Sequence, residues 1–333
     1  MAGCASPLLS TPAGTSPVVL TAAKTTPGSV PKRALGKTGA TVSMLALGGY
    51  HLGDAKDEAT AVRIVHEAID HGVTFLDNAW EYHDGRSEEW VGKAIAGKRD
   101  QLFVMTKVCT HGRDATKAME MLEDSLRRLR TDHLDLWQVH EVIYDNDPER
   151  HYKADGVISA IDKAKRQGKV RFVGFTGHKD PAIHLKMLSF GYPFDTVQMP
   201  LNVMDGTFRS FEKNVLPVLL QKNIAPIAMK CFGGTADMIK QKIVTPEEAL
   251  RYTLSLPIAA LVSGVDSIEV LRQNLRVAET FTPMNEEEMD ALRKRVALYA
   301  GDGRFELFKT SKRFDGKPGR EQHGFPPQEK LSL

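Results

Sequence analysis

The chain has 333 residues, of which 42% are hydrophobic and 26% charged; this is close to the globular average and excludes wholesale disorder. Its 44 basic and 42 acidic residues leave a formal net charge of +2, so no strong field selects nucleic acid or an acidic membrane as a partner. No run of roughly 18 apolar residues marks a spanning helix. The three cysteines, Cys4, Cys109 and Cys231, are far apart and lack CxxC spacing, which indicates neither a disulfide framework nor a zinc motif.

Residues 1–31 are rich in Ser, Thr, Pro, Ala and Gly, and the first acidic residue is Asp54. Such a segment buries too little apolar surface to order itself and reads as a flexible tail. Its lack of acidic residues suits a targeting remnant, but it has no basic start, twin arginine or apolar core. The expected location is cytoplasmic, with export or an organelle as the alternative. Next, Gly36 and Gly39 flank Lys37-Thr38 and suggest a small hairpin.

From residue 42 onward, apolar β-rich runs alternate with amphipathic segments. Val42–Leu47 is the first run; a helix capped by Asp57 follows and stops at His71-Gly72. The second run, Val73 to Leu76, ends at Asp77, and Ser87 starts a helix that closes near Gly97. The third run, Leu102 to Thr106, ends at Lys107 and leads to a helix over 116–129. The fourth, Leu134 to Val139, ends at His140, with a helix over 157–166. A fifth strand, 170–175, ends in Thr176-Gly177-His178 and is followed by a helix over 182–188. The sixth, 196–199, carries Gln198 and precedes a helix over 211–220. The seventh, 225–229, is followed by Lys230; Pro246-Glu247-Glu248 starts a helix. The eighth, 260–262, precedes Gly264, with a helix over 268–279. Cys109 and Cys231 read as small buried hydrophobes at strand ends.

Strands alternating with helices imply parallel βαβ units, because parallel neighbours need a crossover. Eight consecutive units predict a closed (β/α)8 barrel of the α/β class. An open doubly wound sheet, the competing architecture, needs a GxGxxG turn after an early strand, and none is present. The expected organisation is a tail over 1–31, a barrel over 32–300 and an extension over 301–333. The extension carries Arg304, Lys309, Lys312, Arg313, Lys317 and Arg320. It reads as a long surface segment able to drape over the barrel mouth, its charges solvated.

Active sites of such barrels lie at the C-terminal ends of the strands, so the informative residues are polar ones that end apolar runs. Asp77, Lys107 and His140 end neighbouring strands, and Tyr82 follows in the loop after Asp77. Adjacent strands lie about 4.8 Å apart, which lets the four side chains meet. A free tyrosine has a pKa of about 10; a buried ammonium beside it is expected to lower that value. Asp77 can supply the counter-charge that a buried Lys107 needs. His140 can orient a carbonyl oxygen toward Tyr82. The set makes a proton donor for an oxygen that gains charge as a hydride arrives.

Phe75-Leu76-Asp77-Asn78-Ala79-Trp80-Glu81-Tyr82, followed by Gly85, Ser87 and Glu88, resembles the strand-two signature of the aldo-keto reductases. Val104-Met105-Thr106-Lys107 and Asp135-Leu136-Trp137-Gln138-Val139-His140 resemble that family's next two motifs, and Leu35 to Gly39 and Val197-Gln198 also match. The resemblance covers roughly residues 33 to 280. It implies a TIM barrel that reduces an aldehyde or ketone with a nicotinamide cofactor, with Tyr82 as general acid, Lys107 and Asp77 tuning it, and His140 orienting a small-molecule carbonyl substrate. NADP(H) is favoured by the resemblance, and NAD(H) stays open. The family's Ser-Asn pair after strand five is replaced by Thr176-Gly177-His178. Gln198 is kept, and Met229 with Lys230 stands where an aromatic stacks on the nicotinamide. Gly264 and Asp266 match the diphosphate region, and Gln273 and Asn274 match the adenine contacts. Val270 occupies the place of a basic residue against the 2′-phosphate, with Arg272 and Arg276 nearby as substitutes. Two other readings compete: a nicotinamide-binding regulatory subunit with little turnover, and a metal-dependent hydrolase using His83, His111, His140 and His178, which lacks the expected His-x-His pair on the first strand.

Overall fold

A computed structural model of the chain describes residues 28–109 and 114–330. His111 and the tail up to residue 27 lie outside the described residues. The end of that tail is packed: Val30 is buried, and its N–H donates to the His71 carbonyl at 2.9 Å.

Strands β1 (Lys32–Ala34) and β2 (Thr41–Ser43) pair antiparallel around a turn in which Gly36 and Gly39 have φ of 54° and 76°, a conformation glycine adopts without cost. The single run expected over 42–47 is thereby divided, with Leu45–Gly48 becoming β3, the first barrel strand. Ser43 makes the break. Its hydroxyl donates to the Leu45 carbonyl at 2.7 Å and accepts from the Thr74 and Phe75 N–H groups at 3.0 and 3.2 Å.

The other barrel strands are β4 (Phe75–Asp77), β5 (Phe103–Val108), β6 (Leu134–Val139), β7 (Val170–Thr176), β8 (Thr196–Pro200), β9 (Ala225–Met229) and β10 (Ala260–Gly264). Among the described residues these eight run parallel in chain order, and β10 returns to β3 to close the barrel. The expected helices fill the crossovers. One of them, expected over 211–220, is split into Phe211–Asn214 and Leu216–Gln221, because Pro217 has no N–H to donate and its ring opposes the carbonyl four residues back.

Inside the barrel, Ala46, Phe75, Phe103, Met105, Leu136, Ile227 and Val262 form one apolar core, and Leu35 and Val42 of the hairpin join it. They close the N-terminal end, beside Ala225 and Ala260 where β9 and β10 begin. A second core lies between the barrel wall and the helices. The C-terminal segment crosses the opposite end, over the loops that follow β6 to β9. Its charges are not all solvated: Lys309 and Arg320 are buried, as are Glu306 and Asp315.

Helix Arg86–Ala94 lies against helix Ala115–Leu129, and a Cβ added at Gly92 would come within 2.2 Å of the Arg128 carbonyl oxygen. Gly92→Ala is therefore expected to destabilise by about 1–3 kcal/mol, the usual cost of overpacking. Urea unfolding checks this; an unchanged midpoint would refute the close approach.

Candidate active site

The period of two along β5 turns Met105 and Lys107 into the barrel and Thr106 toward the helices. Lys107 is 1% and Asp77 3% exposed, a depth at which neither charge is tolerable alone. The Lys107 ammonium has three N–H groups, and three acceptors meet it: one Asp77 carboxylate oxygen, the Asn78 carbonyl at 2.7 Å and the Tyr82 phenol oxygen at 3.3 Å. The other Asp77 oxygen accepts from Gln198 Nε2 on β8 at 3.1 Å. A carboxylate can only accept, so the Gln198 amide nitrogen must face it. Gln198 Oε1 is left buried and without a hydrogen-bond partner among the described residues.

The loop that carries Tyr82 is held from outside the barrel. Thr106 donates to Glu88 at 2.6 Å; Arg128 bonds Glu88 at 3.1 Å and the Trp80 carbonyl at 2.8 Å. His83 and Asp84 have φ of 52° and 56°, left-handed values that cost energy in residues other than glycine and cluster at functional sites. The Tyr82 ring lies edge-on to Tyr50 and His140, with centroids 5.3 and 5.6 Å away. His140 is held by a short hydrogen bond from its Nδ1 to the Glu81 carboxylate.

The expected lowering of the Tyr82 pKa is reversed. Burial, followed by the negative charges of Asp77, Glu81 and Glu141, holds the phenol well above its ordinary value. Lys107 is within reach, but its charge is balanced by Asp77, and desolvation of the phenolate outweighs what remains. Tyr82 is thus a protonated phenol throughout the neutral range.

Around the rest of the mouth, Thr176 ends β7 and Met229 ends β9, on either side of Gln198. The Thr176 hydroxyl reaches the Met229 sulfur at 4.0 Å. Gly177 lies where a Cβ would meet the Val142 carbonyl at 2.2 Å. His178 turns away from this group and lies 3.9 Å from Asp315 of the C-terminal segment; burial lowers its pKa to about 4. Lys230 has φ of 58° and is half-buried, with Nζ 5.6 and 5.3 Å from the ring centroids of Phe308 and Phe314. No carboxylate pairs with it among the described residues. Its pKa is pushed down to about 8, by burial first, with Glu141 opposing and Lys107 assisting.

Gly264 packs under the His51 ring, where a Cβ would come within 2.2 Å of Nδ1. Asp266 is exposed ahead of helix Ile268–Glu279, which Ser267 caps through the Val270 N–H. Val270 and Gln273 are half-buried on that helix. Asn274 is buried and donates to Ser263 at 3.1 Å, leaving its Oδ1 without a partner among the described residues. Arg272 is engaged by Glu67 at 2.6 and 3.2 Å, and Arg276 is exposed.

Sequence reasoning missed the partners that these residues meet. Glu81 was visible only as the residue before Tyr82, and Glu141 only as the residue after His140. Both Glu141 oxygens accept from the Gly316 N–H at 2.8 Å. Asp315 accepts from Tyr144 at 2.7 Å and Lys179 at 2.6 Å. Of the described histidines of the hydrolase reading, His83 bonds the Tyr50 carbonyl and His178 faces Asp315, so neither joins His140 in one cluster. Replacing Lys107 by methionine would leave Asp77 buried and uncompensated. We expect Lys107→Met to cost about 3–5 kcal/mol and a second change, Asp77→Asn, to recover part of it. Urea unfolding of the single and double variants decides; equal stability of Lys107→Met and the parent would refute the burden placed on the pair.

The aldo/keto reductase family model matches residues 44–241, more than half of the chain. An uncharacterized oxidoreductase of Bacillus subtilis, YqkF, is 28% identical over 80% of this chain and 96% of its own. An aldo-keto reductase from Klebsiella pneumoniae, solved in complex with NADPH, superposes with a TM-score of 0.67 at 25% identity, over 84% of this chain and 97% of its own. A Klebsiella pneumoniae structure with NADP and acetate gives 0.65 at 26% identity, over 84% and 98%. The chain belongs to the aldo/keto reductase family of nicotinamide-dependent oxidoreductases.

Proposed function

We propose that this protein reduces an aldehyde or ketone, with Tyr82 as the proton donor and NADP(H) as the favoured cofactor. The observation that carries the reading is the convergence on one phenol: Tyr82 lies 3.3 Å from the buried Lys107 ammonium and edge-on to His140. The residues fit a nicotinamide. Gln198 Oε1 is a buried acceptor in need of a donor, which a carboxamide N–H supplies, with Thr176 and Met229 beside it. Lys230 suits the anionic diphosphate, together with Gly264, Asp266 and the N-terminus of helix Ile268–Glu279. Gln273 and Asn274 are assigned to the adenosine end. NADP(H) over NAD(H) rests on the family and on the NADP(H) complexes of its relatives, since Arg272 is held by Glu67 and Val270 carries no charge.

When bound, the cofactor supplies a hydride. Tyr82 holds the proton that the resulting alkoxide needs, and its raised pKa keeps that proton in place until negative charge develops beside it. Lys107 stabilises the phenolate left behind, while Asp77 and Gln198 keep the ammonium fixed. His140, steered by Glu81, positions the carbonyl oxygen.

Tyr82→Phe should lower kcat by at least about 100-fold, the scale of general-acid catalysis, while NADPH binding followed by fluorescence changes less than about threefold. Parental turnover in the variant would refute the role. The Lys230 pKa near 8 sets a second expectation. Below that pH the ammonium attracts the cofactor's phosphates; above it the charge is lost. The Kd for NADP+ should therefore rise above pH 8, by at most about tenfold per pH unit for one linked proton, and Lys230→Met should remove that rise. A Kd in the parent that stays flat from pH 7 to 10 would sink the assignment.

A further inference from the structure

We propose that Glu81, Cys109 and His140 form a binding site for a thiophilic divalent cation of the Zn2+ type, one that switches the neighbouring chemistry off. The three residues come from the loop after β4 and from the ends of β5 and β6, which are adjacent strands. A Glu81 carboxylate oxygen, the Cys109 sulfur and a His140 ring nitrogen lie within 4.8 Å of one another. Zn–S and Zn–N bonds together span about 4.3 Å, so small side-chain rotations bring all three onto one ion.

Two further observations favour a cation here. Glu81 Oε2 is buried and has no hydrogen-bond partner among the described residues, so the carboxylate has unused capacity at this point. The surroundings are also electronegative. Besides Glu81 itself, the Glu141 carboxylate lies 3.8 Å from the Cys109 sulfur. A dication is attracted to such a site and displaces the thiol proton. The donor set of one thiolate, one imidazole and one carboxylate selects zinc-like ions over Mg2+ or Ca2+.

Binding forms one bond each to sulfur, nitrogen and oxygen. The thiol proton passes to solvent, and the proton that His140 Nδ1 shares with Glu81 is exchanged through solvent onto Nε2, which leaves Nδ1 free to bind. One thiolate and one carboxylate then neutralise the ion. The His140 Nδ1 that bonded Glu81 now bonds the metal, and the ring turns toward Cys109 and away from its place beside Tyr82. This loss of alignment rests on the carbonyl-reduction reading above; the binding itself does not.

The test uses the full chain, stripped with EDTA and titrated with Co2+. Binding of one equivalent should give a thiolate-to-cobalt charge-transfer band that Zn2+ abolishes. Cys109→Ser should lose the band, and Glu81→Gln should retain it with affinity weakened at least tenfold. Absence of the band in the parent, or its survival in Cys109→Ser, overturns the site. One equivalent of Zn2+ should suppress NADPH-dependent carbonyl reduction at least tenfold in the parent, reversibly with EDTA, and leave Cys109→Ser unaffected. Undiminished turnover at saturating zinc overturns the switch. A chain inert toward every carbonyl tried, yet showing the cysteine-dependent band, counts against the enzymatic reading and for the metal site.

Discussion

A lysine and an aspartate buried together at the barrel mouth impose the arrangement on which the rest depends. Lys107 and Asp77 sit on adjacent parallel strands, β5 and β4, and neither charge survives that depth without the other. Each remaining hydrogen-bonding capacity then recruits another element. The ammonium takes Asn78 and Tyr82, which fixes the loop after β4. The carboxylate takes Gln198, which lies across the barrel on β8. A one-residue slip of β5 would turn Lys107 to the helix side and strand Asp77, so strand register and candidate chemistry are enforced by the same interaction.

The C-terminal segment repeats this solution. Lys309 is fully buried and also finds three acceptors: Asp205 at 2.6 Å, Glu306 at 2.8 Å and the Phe208 carbonyl at 2.8 Å. Asn202 adds a bond to Glu306 at 2.9 Å. Burial pushes the Glu306 carboxyl up to about 7 and raises that of Asp205, so this clamp bears a desolvation cost. What it achieves is position: Phe308 and Phe314 come to lie against Lys230, and Gly316 against Glu141. The segment thereby sets the electrostatics of the mouth as well as covering it.

The barrel was legible because strands end where apolar runs meet a polar residue, and Asp77, Lys107 and His140 mark three such ends. Gln198 was legible as a mid-strand polar residue, but its commitment to Asp77 was not, since nothing along the chain connects two strands on opposite sides of a barrel. The C-terminal segment was legible only in part. Its short helices carry no sustained apolar period, so Lys309 reads the same as the exposed Lys317 until Asp205 and Glu306 are placed in space. The Tyr82 pKa failed for a related reason. Proximity of Lys107 could be inferred, but the cost of burying the ring and the approach of Glu81 and Glu141 could not.

These charges divide the mouth into two halves of opposite character. On the side of β9, Lys230 is a cation without a paired carboxylate among the described residues, and this half suits an anion. On the side of β4 to β6, Glu81 and Glu141 surround Cys109 and His140, and this half suits a cation. Tyr82 stands between them, closer to the negative half; burial first, and then these negative charges, hold its proton. An alkoxide forming beside Tyr82 would be disfavoured by Glu81 and Glu141 unless it is neutralised at once. Under the proposed reading, protonation by the phenol would do this locally, and Lys107, whose ammonium reaches the phenol oxygen, would meet the charge transferred to it. If the protein reduces a carbonyl as proposed, this ordering of side chains would favour proton transfer concerted with charge development over release of a free anion.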